Sequence, residues 1–184
     1  CIQLSLCLCP TWLMPPPLIS METKKDGRLP YPLSWDEQSE LFQRLPGYLQ
    51  KMSLFKVNTG AREQEVCQLR WDWEVEVPEI GRSVFIVPGG IVKNADDRLL
   101  ILNDVAWSVI HGQRGMNSVY VFPYGKDNDG NLAPRRWMNN SAWERAWTQA
   151  GLPVGVEYTR GVHNLKHTFG RRLRAAGVSK EDRM

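Results

Sequence analysis

Cysteine is scarce in this chain, and the few present cannot be paired into a framework. Cys1, Cys7 and Cys9 sit within the first ten residues and Cys67 falls inside a helical pattern. Disulfide scaffolds and structural zinc sites need tighter, better-spaced clusters. Cys7 and Cys9 have the spacing of half a metal site but no partner pair. Thiols this sparse fit a reducing cytoplasm. Long apolar runs are missing too, which excludes a membrane-spanning helix and points to a soluble protein. Residues 1–10 are apolar but lack a basic lead, so they do not form a secretion signal. The first residue is Cys rather than Met, and further sequence is expected upstream. No internal repeat is visible.

What is present is globular composition, 42% hydrophobic and 23% charged, in a length that suits one domain, or most of one, with a real core. The net charge of +3 is unevenly spread. Residues 61–104 hold 5 Lys and Arg against 9 Asp and Glu, whereas residues 160–184 hold 7 against 2. A basic stretch on a near-neutral protein is either a solvated helix face or a face that meets a polyanion.

Residues 1–33 read as an extended lead or linker, interrupted by Pro15-Pro16-Pro17, Asp26-Gly27 and Pro30-Tyr31-Pro32. Ser34 and Glu37 have the spacing of a capping box and start a helix that Pro46-Gly47 ends. A second helix is expected over 48–57, with Lys56 among the residues marking its turns, and Gly60 breaks it. A third runs over 62–69. Trp71, Trp73, Val75 and Val77 then alternate with acidic residues, as in a half-buried strand. Further strands are expected at 83–87 and 98–102, joined by a turn that contains Lys93. Helices return at 104–113, followed by an extended 119–122, a Gly/Asp/Asn loop at 125–131 and a helix over 140–150 with Trp143 and Trp147 stacked. The tryptophans read mostly as core. The last clear helix covers 163–176, capped by Gly177, and another is expected to begin at Ser179.

Three segments carry groups with chemistry. In Thr59-Gly60-Ala61-Arg62-Glu63-Gln64-Glu65, the glycine break puts Arg62 at a helix N-terminus, where free N–H groups already favour an anion. Its guanidinium adds a fork for two phosphate oxygens, and Glu65 can orient or cap it. Alone, this is an ordinary helix start. Lys93 on its turn is either a solubilising charge or a cation reaching into a groove. In His163-Asn164-Leu165-Lys166-His167-Thr168-Phe169, helical spacing puts Leu165, Phe169, Leu173 and Ala176 on the core stripe. His163, His167, Gly170 and Arg174 lie on another face, with Lys166 at its border. An exposed His/Lys cluster is the plain alternative.

Taken together, Thr-Gly-x-Arg-x-x-Glu, a small sheet with a lysine turn, and His-x-Leu-Lys-His-Thr-Phe ahead of Ala-Ala-Gly-Val resemble the catalytic domain of the tyrosine recombinases, or phage integrases. The likeness runs from about Pro30 to the end, and residues 11–20 look like the linker that precedes that domain. The implied fold is α+β and mainly α: a helical DNA breaking–rejoining domain, here a partial one over 34–184, with a small three-stranded antiparallel sheet. The implied function is site-specific recombination that integrates or excises a prophage or mobile element through a 3′-phosphotyrosine intermediate. By the same resemblance Arg62, Lys93, His163 and Lys166 are catalytic, with Glu65 and His167 in support. Lys93 protonates the leaving 5′ oxygen and His163 assists proton transfer at the nucleophile. No metal, ATP or other cofactor is implied. The implied partners are double-stranded DNA attachment sites and, in the full-length protein, three further copies as a homotetramer on DNA. The implied location is the bacterial cytoplasm, at the nucleoid.

The sequence departs from the family twice. Lys166 stands where an arginine is usual, supplying charge without the two-pronged fork. No tyrosine follows the third motif, and Tyr120, Tyr124 and Tyr158 are rejected as nucleophile, so this chain is expected to stop short of it and to be inactive alone. The rival readings are a DNA-binding remnant without catalysis, a type IB topoisomerase, and a metal hydrolase using His163 and His167. The last lacks the zincin glutamate and a third ligand, since His111 lies in an unrelated helix.

Overall fold

A computed structural model describes residues 27–91, 96–126 and 132–179. The extended lead 1–26, the turn with Lys93, most of the 125–131 loop and the start expected after Ser179 lie outside the described residues.

Six helices and two small antiparallel sheets make up the described chain. Helix α1 (Trp35–Arg44) starts where expected: Ser34 Oγ accepts from the Glu37 N–H, and Glu37 accepts from the Ser34 N–H at 2.8 Å. Helix α2 (Gly47–Thr59) is two residues longer at its C-terminal end than expected and is buried on nearly every side, through Leu49, Met52, Phe55, Val57 and even Lys56. A helix buried all round belongs at the centre of a domain. It packs against α4 (Asp104–His111) and α6 (His163–Ala175), and α1 packs against α5 (Ser141–Gln149). Trp143 and Trp147 of α5 are fully buried, which makes them principal core residues; truncating either would cost roughly 3–5 kcal/mol.

The three-stranded sheet runs β1 (Glu74–Val77), β2 (Arg82–Val87), β3 (Arg98–Leu100), all antiparallel, with Phe85 paired to both Glu74 and Leu100. Expectation and structure differ at its entrance. Trp71–Trp73 is a turn of 3₁₀ helix, because Trp71 N–H donates to Val119 O and its indole to Asn117 O, which draws the chain out of the sheet. Trp71 and Trp73 therefore share no strand face, and both are only half-buried. The extended 119–122 segment makes a single bridge, Arg70 to Tyr120. The second hairpin lies just beyond it, β4 (Pro123–Lys126) with β5 (Leu132–Pro134).

Helix α6 is tied down by polar groups as much as by apolar ones. Asn164 Oδ1 accepts from the Tyr31 N–H at 3.0 Å, and Thr168 Oγ1 accepts from the Leu33 N–H at 2.9 Å. Its buried positions are accordingly Asn164, Leu165 and Thr168. The expected stripe weakens along the helix: Phe169 and Leu173 are half-buried and Ala176 is exposed. Among the described residues no helix is long and apolar enough to cross a membrane.

Candidate DNA-phosphate site

The turn between α2 and α3 (Glu63–Cys67) is three residues long and internally wired. Gly60 closes α2 in the left-handed region at φ 66°, a conformation that costs glycine little. Ala61 is fully buried, and its carbonyl accepts from Lys56 Nζ at 2.5 Å. Arg62 is the N-cap residue of α3. Its backbone N–H donates to Glu65 Oε2 at 2.7 Å and its Nη1 to Glu65 Oε1 at 3.3 Å. Glu65, almost wholly buried, also takes Arg98 Nη1 on both oxygens, at 3.1 and 2.9 Å, while Arg98 Nη2 donates to Gly60 O. One carboxylate thus joins the start of strand β3 to the backbone and side chain of Arg62.

From the other side, α6 presents His163 at its first position and Lys166 and His167 one turn on. The two imidazoles meet edge to face with centroids 4.7 Å apart. Arg62, Glu65, His163 and Lys166 all line one open cleft of about 470 Å³, with Glu63, Gln64 and Ile91. Of the six residues singled out from the sequence, four share this cleft and His167 stacks on one of them. Lys93 lies outside the described residues, two positions along the chain from cleft-lining Ile91.

The cleft is electropositive. Arg62, Arg98, Lys166 and the buried Lys56 stand against Glu63 and Glu65. The Glu63 carboxylate is taken up by the Met138 and Asn139 N–H groups, both at 2.7 Å. Burial, then His167, Lys56, Lys166 and Arg62, push the His163 imidazole down to about 4, so it is neutral at neutral pH. Burial, then Arg98 and Arg62, lower Lys166 from its ordinary value. Lys56 is pushed down to about 8, chiefly by burial. A neutral imidazole that accepts protons, ringed by cations competing for an anion, is chemistry suited to a phosphate diester. Among the described residues no group of three His, Cys, Asp or Glu could hold a metal ion.

The model of the phage integrase family matches residues 34–182. The chain belongs to the phage integrase family. Among solved structures, this integrase chain is similar to the Tn1549 transposon integrase (aa 82-397) in complex with circular intermediate DNA. The TM-score is 0.58 at 14% identity, over 86% of this chain and 59% of that one. It is also similar to the XerH site-specific recombinase bound to difH in a pre-cleavage complex, with a TM-score of 0.54 at 20% identity, over 81% of this chain and 44% of that one. The chain thus spans about half the length of these recombinases, and its fold is that of their catalytic domain: helical, with the small three-stranded antiparallel sheet. No curated protein matches it.

Two residues that hold or charge this cleft escaped the sequence reading, Lys56 and Arg98. Lys56 falls on the turn-marking positions of α2, a lysine among apolar neighbours. Arg98 shares the inward face of β3 with buried Leu100 by simple alternation. Both signals were present, but neither specified a partner.

Proposed function

We propose that the chain supplies the phosphate-holding groups of a site-specific DNA recombinase that cleaves and rejoins strands through a 3′-phosphotyrosine intermediate. The observation that carries this reading is the meeting of Arg62, His163 and Lys166, from two distant segments, around one cleft. Arg62 and Lys166 hold the non-bridging oxygens of the scissile phosphate, where charge builds in the transition state. His163, uncharged at neutral pH, accepts the proton of the attacking tyrosine hydroxyl. As the new oxygen–phosphorus bond forms, the bond to the 5′ oxygen breaks and Lys93 delivers its proton to that oxygen. Glu65 and His167 orient Arg62 and His163. None of the five tyrosines lines the cleft, so the nucleophile is a tyrosine outside these residues. The phosphodiester energy is stored in the tyrosyl link, so neither a metal nor ATP is required. Double-stranded attachment-site DNA is the substrate, engaged by four copies of the full-length protein in the bacterial cytoplasm.

The test is covalent trapping. The product of the complete reading frame is mixed with nicked duplexes that lose a short strand on cleavage, and adduct is resolved on denaturing gels. Arg62→Ala and Lys166→Ala should each slow adduct formation by roughly 10²–10³-fold. Wild-type adduct rates in Arg62→Ala would overturn the catalytic assignment. Salt-sensitive DNA binding with no adduct from any duplex would favour the second reading, a DNA-binding remnant, for which the replacement of arginine by Lys166 is the motivating feature.

A further inference from the structure

Next to the segment bonded by the α3 side chains Glu63 and Gln64 lies a patch in which arginines and aromatic rings alternate. Arg135 is sandwiched between two tyrosines, its guanidinium 3.6 Å from the Tyr48 ring centroid and 5.3 Å from that of Tyr124. Burial lowers its proton affinity. Arg136 is exposed and lies 5.8 Å over the Trp137 ring. Tyr124 and Trp137 are 68% and 52% exposed and lie on one depression, so their rings are open to a partner. These residues line a shared depression of about 380 Å³ with no acidic side chain among the described residues that line it.

The patch is attached to the cleft through α3. Gln64, which lines the cleft, donates from Nε2 to Arg136 O at 3.1 Å, and Glu63 accepts the next two backbone N–H groups after Trp137. These bonds hold the Arg136–Asn139 backbone against α3, one side chain away from the cleft. Resting on the recombinase reading above, we propose that Arg136, Trp137 and Tyr124 form a second contact for the backbone of the duplex that flanks the reacting phosphate. The Arg136 guanidinium grips a phosphate while the rings lie against the adjoining sugars. Charge complementarity and continuity with the cleft favour DNA over an acidic protein segment.

The experiment is fluorescence anisotropy of the chain with a labelled 30-bp duplex, titrated across salt concentrations. Arg136→Ala should weaken binding roughly three- to tenfold and reduce the slope of log affinity against log salt by about 1, and Arg136→Lys should restore the slope. Trp137→Ala should weaken binding with the slope unchanged. Wild-type affinity and slope in Arg136→Ala and Trp137→Ala, while Arg62→Ala weakens binding, would overturn the second contact and leave the recombinase reading standing. Displacement of the duplex by poly-glutamate from the wild type but not from Arg136→Ala would reassign the patch to an acidic protein. A wild-type chain that leaves the duplex free at low salt would overturn the second contact, while the recombinase reading is judged by adduct formation with the complete reading frame.

Discussion

A Cβ on Gly60 would lie 2.4 Å from Cδ1 and 2.7 Å from Cε1 of Phe169, so the turn that presents Arg62 and the helix that presents Lys166 touch at an absent side chain. Gly60 also sits at φ 66°, where an L residue is strained. Both effects oppose substitution: the backbone strain is local, and the clash is relieved only if the half-buried Phe169 ring turns aside or α6 shifts away from the turn. Gly60→Ala should therefore lose about 1–3 kcal/mol, read as a lower urea midpoint. Because the displaced element carries Lys166, duplex affinity should fall as well. An unchanged midpoint would mean that Phe169 yields freely and that the contact does not set the spacing of the cleft.

Arg98 and Glu65 make a different kind of joint. Glu65 is all but sealed from water, and its two oxygens are shared among Arg62 and Arg98. Removing one partner of such a pair leaves charge without compensation. Arg98→Ala should cost about 3 kcal/mol in chemical denaturation. Arg98→Lys should recover only part, since an ammonium cannot span Glu65 and Gly60 O together. A double-mutant cycle with Glu65→Gln should show strong coupling; additive losses would mean that the two residues act independently.

Short-range signals were legible: the Ser34–Glu37 box, the Gly60 break, the Trp143–Trp147 spacing and the positive-φ Gly177 all appear where local chemistry puts them. The Arg62, His163 and Lys166 motifs were legible as patterns, but their meeting in one cleft is tertiary and rested on resemblance. What the sequence concealed was long-range hydrogen bonding. The Trp71 amide and indole bond to residues nearly fifty positions away, which turned the first three residues of an expected strand into a 3₁₀ turn and left Glu74–Val77 as strand. Asn164 and Thr168 bury themselves by bonding to residues 31 and 33, which no apolar periodicity could reveal. The same applies to Arg98, an unremarkable strand residue until Glu65 is seen across from it.

The neutral state of His163 gives a spectroscopic prediction. With its folded value pushed down to about 4 against an ordinary 6.5, the unfolded chain binds the extra proton between those limits. Protonation of this residue therefore erodes stability as pH falls through that window and has no effect above it. Its imidazole carbon–proton NMR signals should titrate near pH 4, and binding of a duplex should move the midpoint upward, because a phosphate in the cleft offsets the cations. A midpoint near 6.5 in the free chain would mean that His163 is open to water and away from Lys56, Lys166 and Arg62. A midpoint indifferent to duplex would place the phosphate elsewhere.

Lys56 gives the opposite side of the pH scale. It is fully buried beneath the site, bonded to Ala61 O, and pushed down to about 8 from its ordinary 10.5, chiefly by loss of hydration. Below pH 8 it is charged whether the chain is folded or not, and the fold carries the full cost of burying that charge. Between 8 and 10.5 the unfolded chain holds the proton and the folded chain does not, so stability must rise with pH there, by roughly 3 kcal/mol across the window. Other groups titrate in the same range, which makes the difference between wild type and Lys56→Met the quantity to measure. Urea denaturation at pH 7.5 and pH 10.5 should show the wild type gaining on the variant as pH rises. Lys56→Met also leaves Ala61 O, buried in the turn that presents Arg62, without its donor, an offset that does not change the direction in which the difference moves with pH. A difference that stays flat over that interval would mean that the ammonium keeps its proton in the folded chain, held there by Glu63 and Glu65, and that the cation beneath the site is permanent rather than titratable.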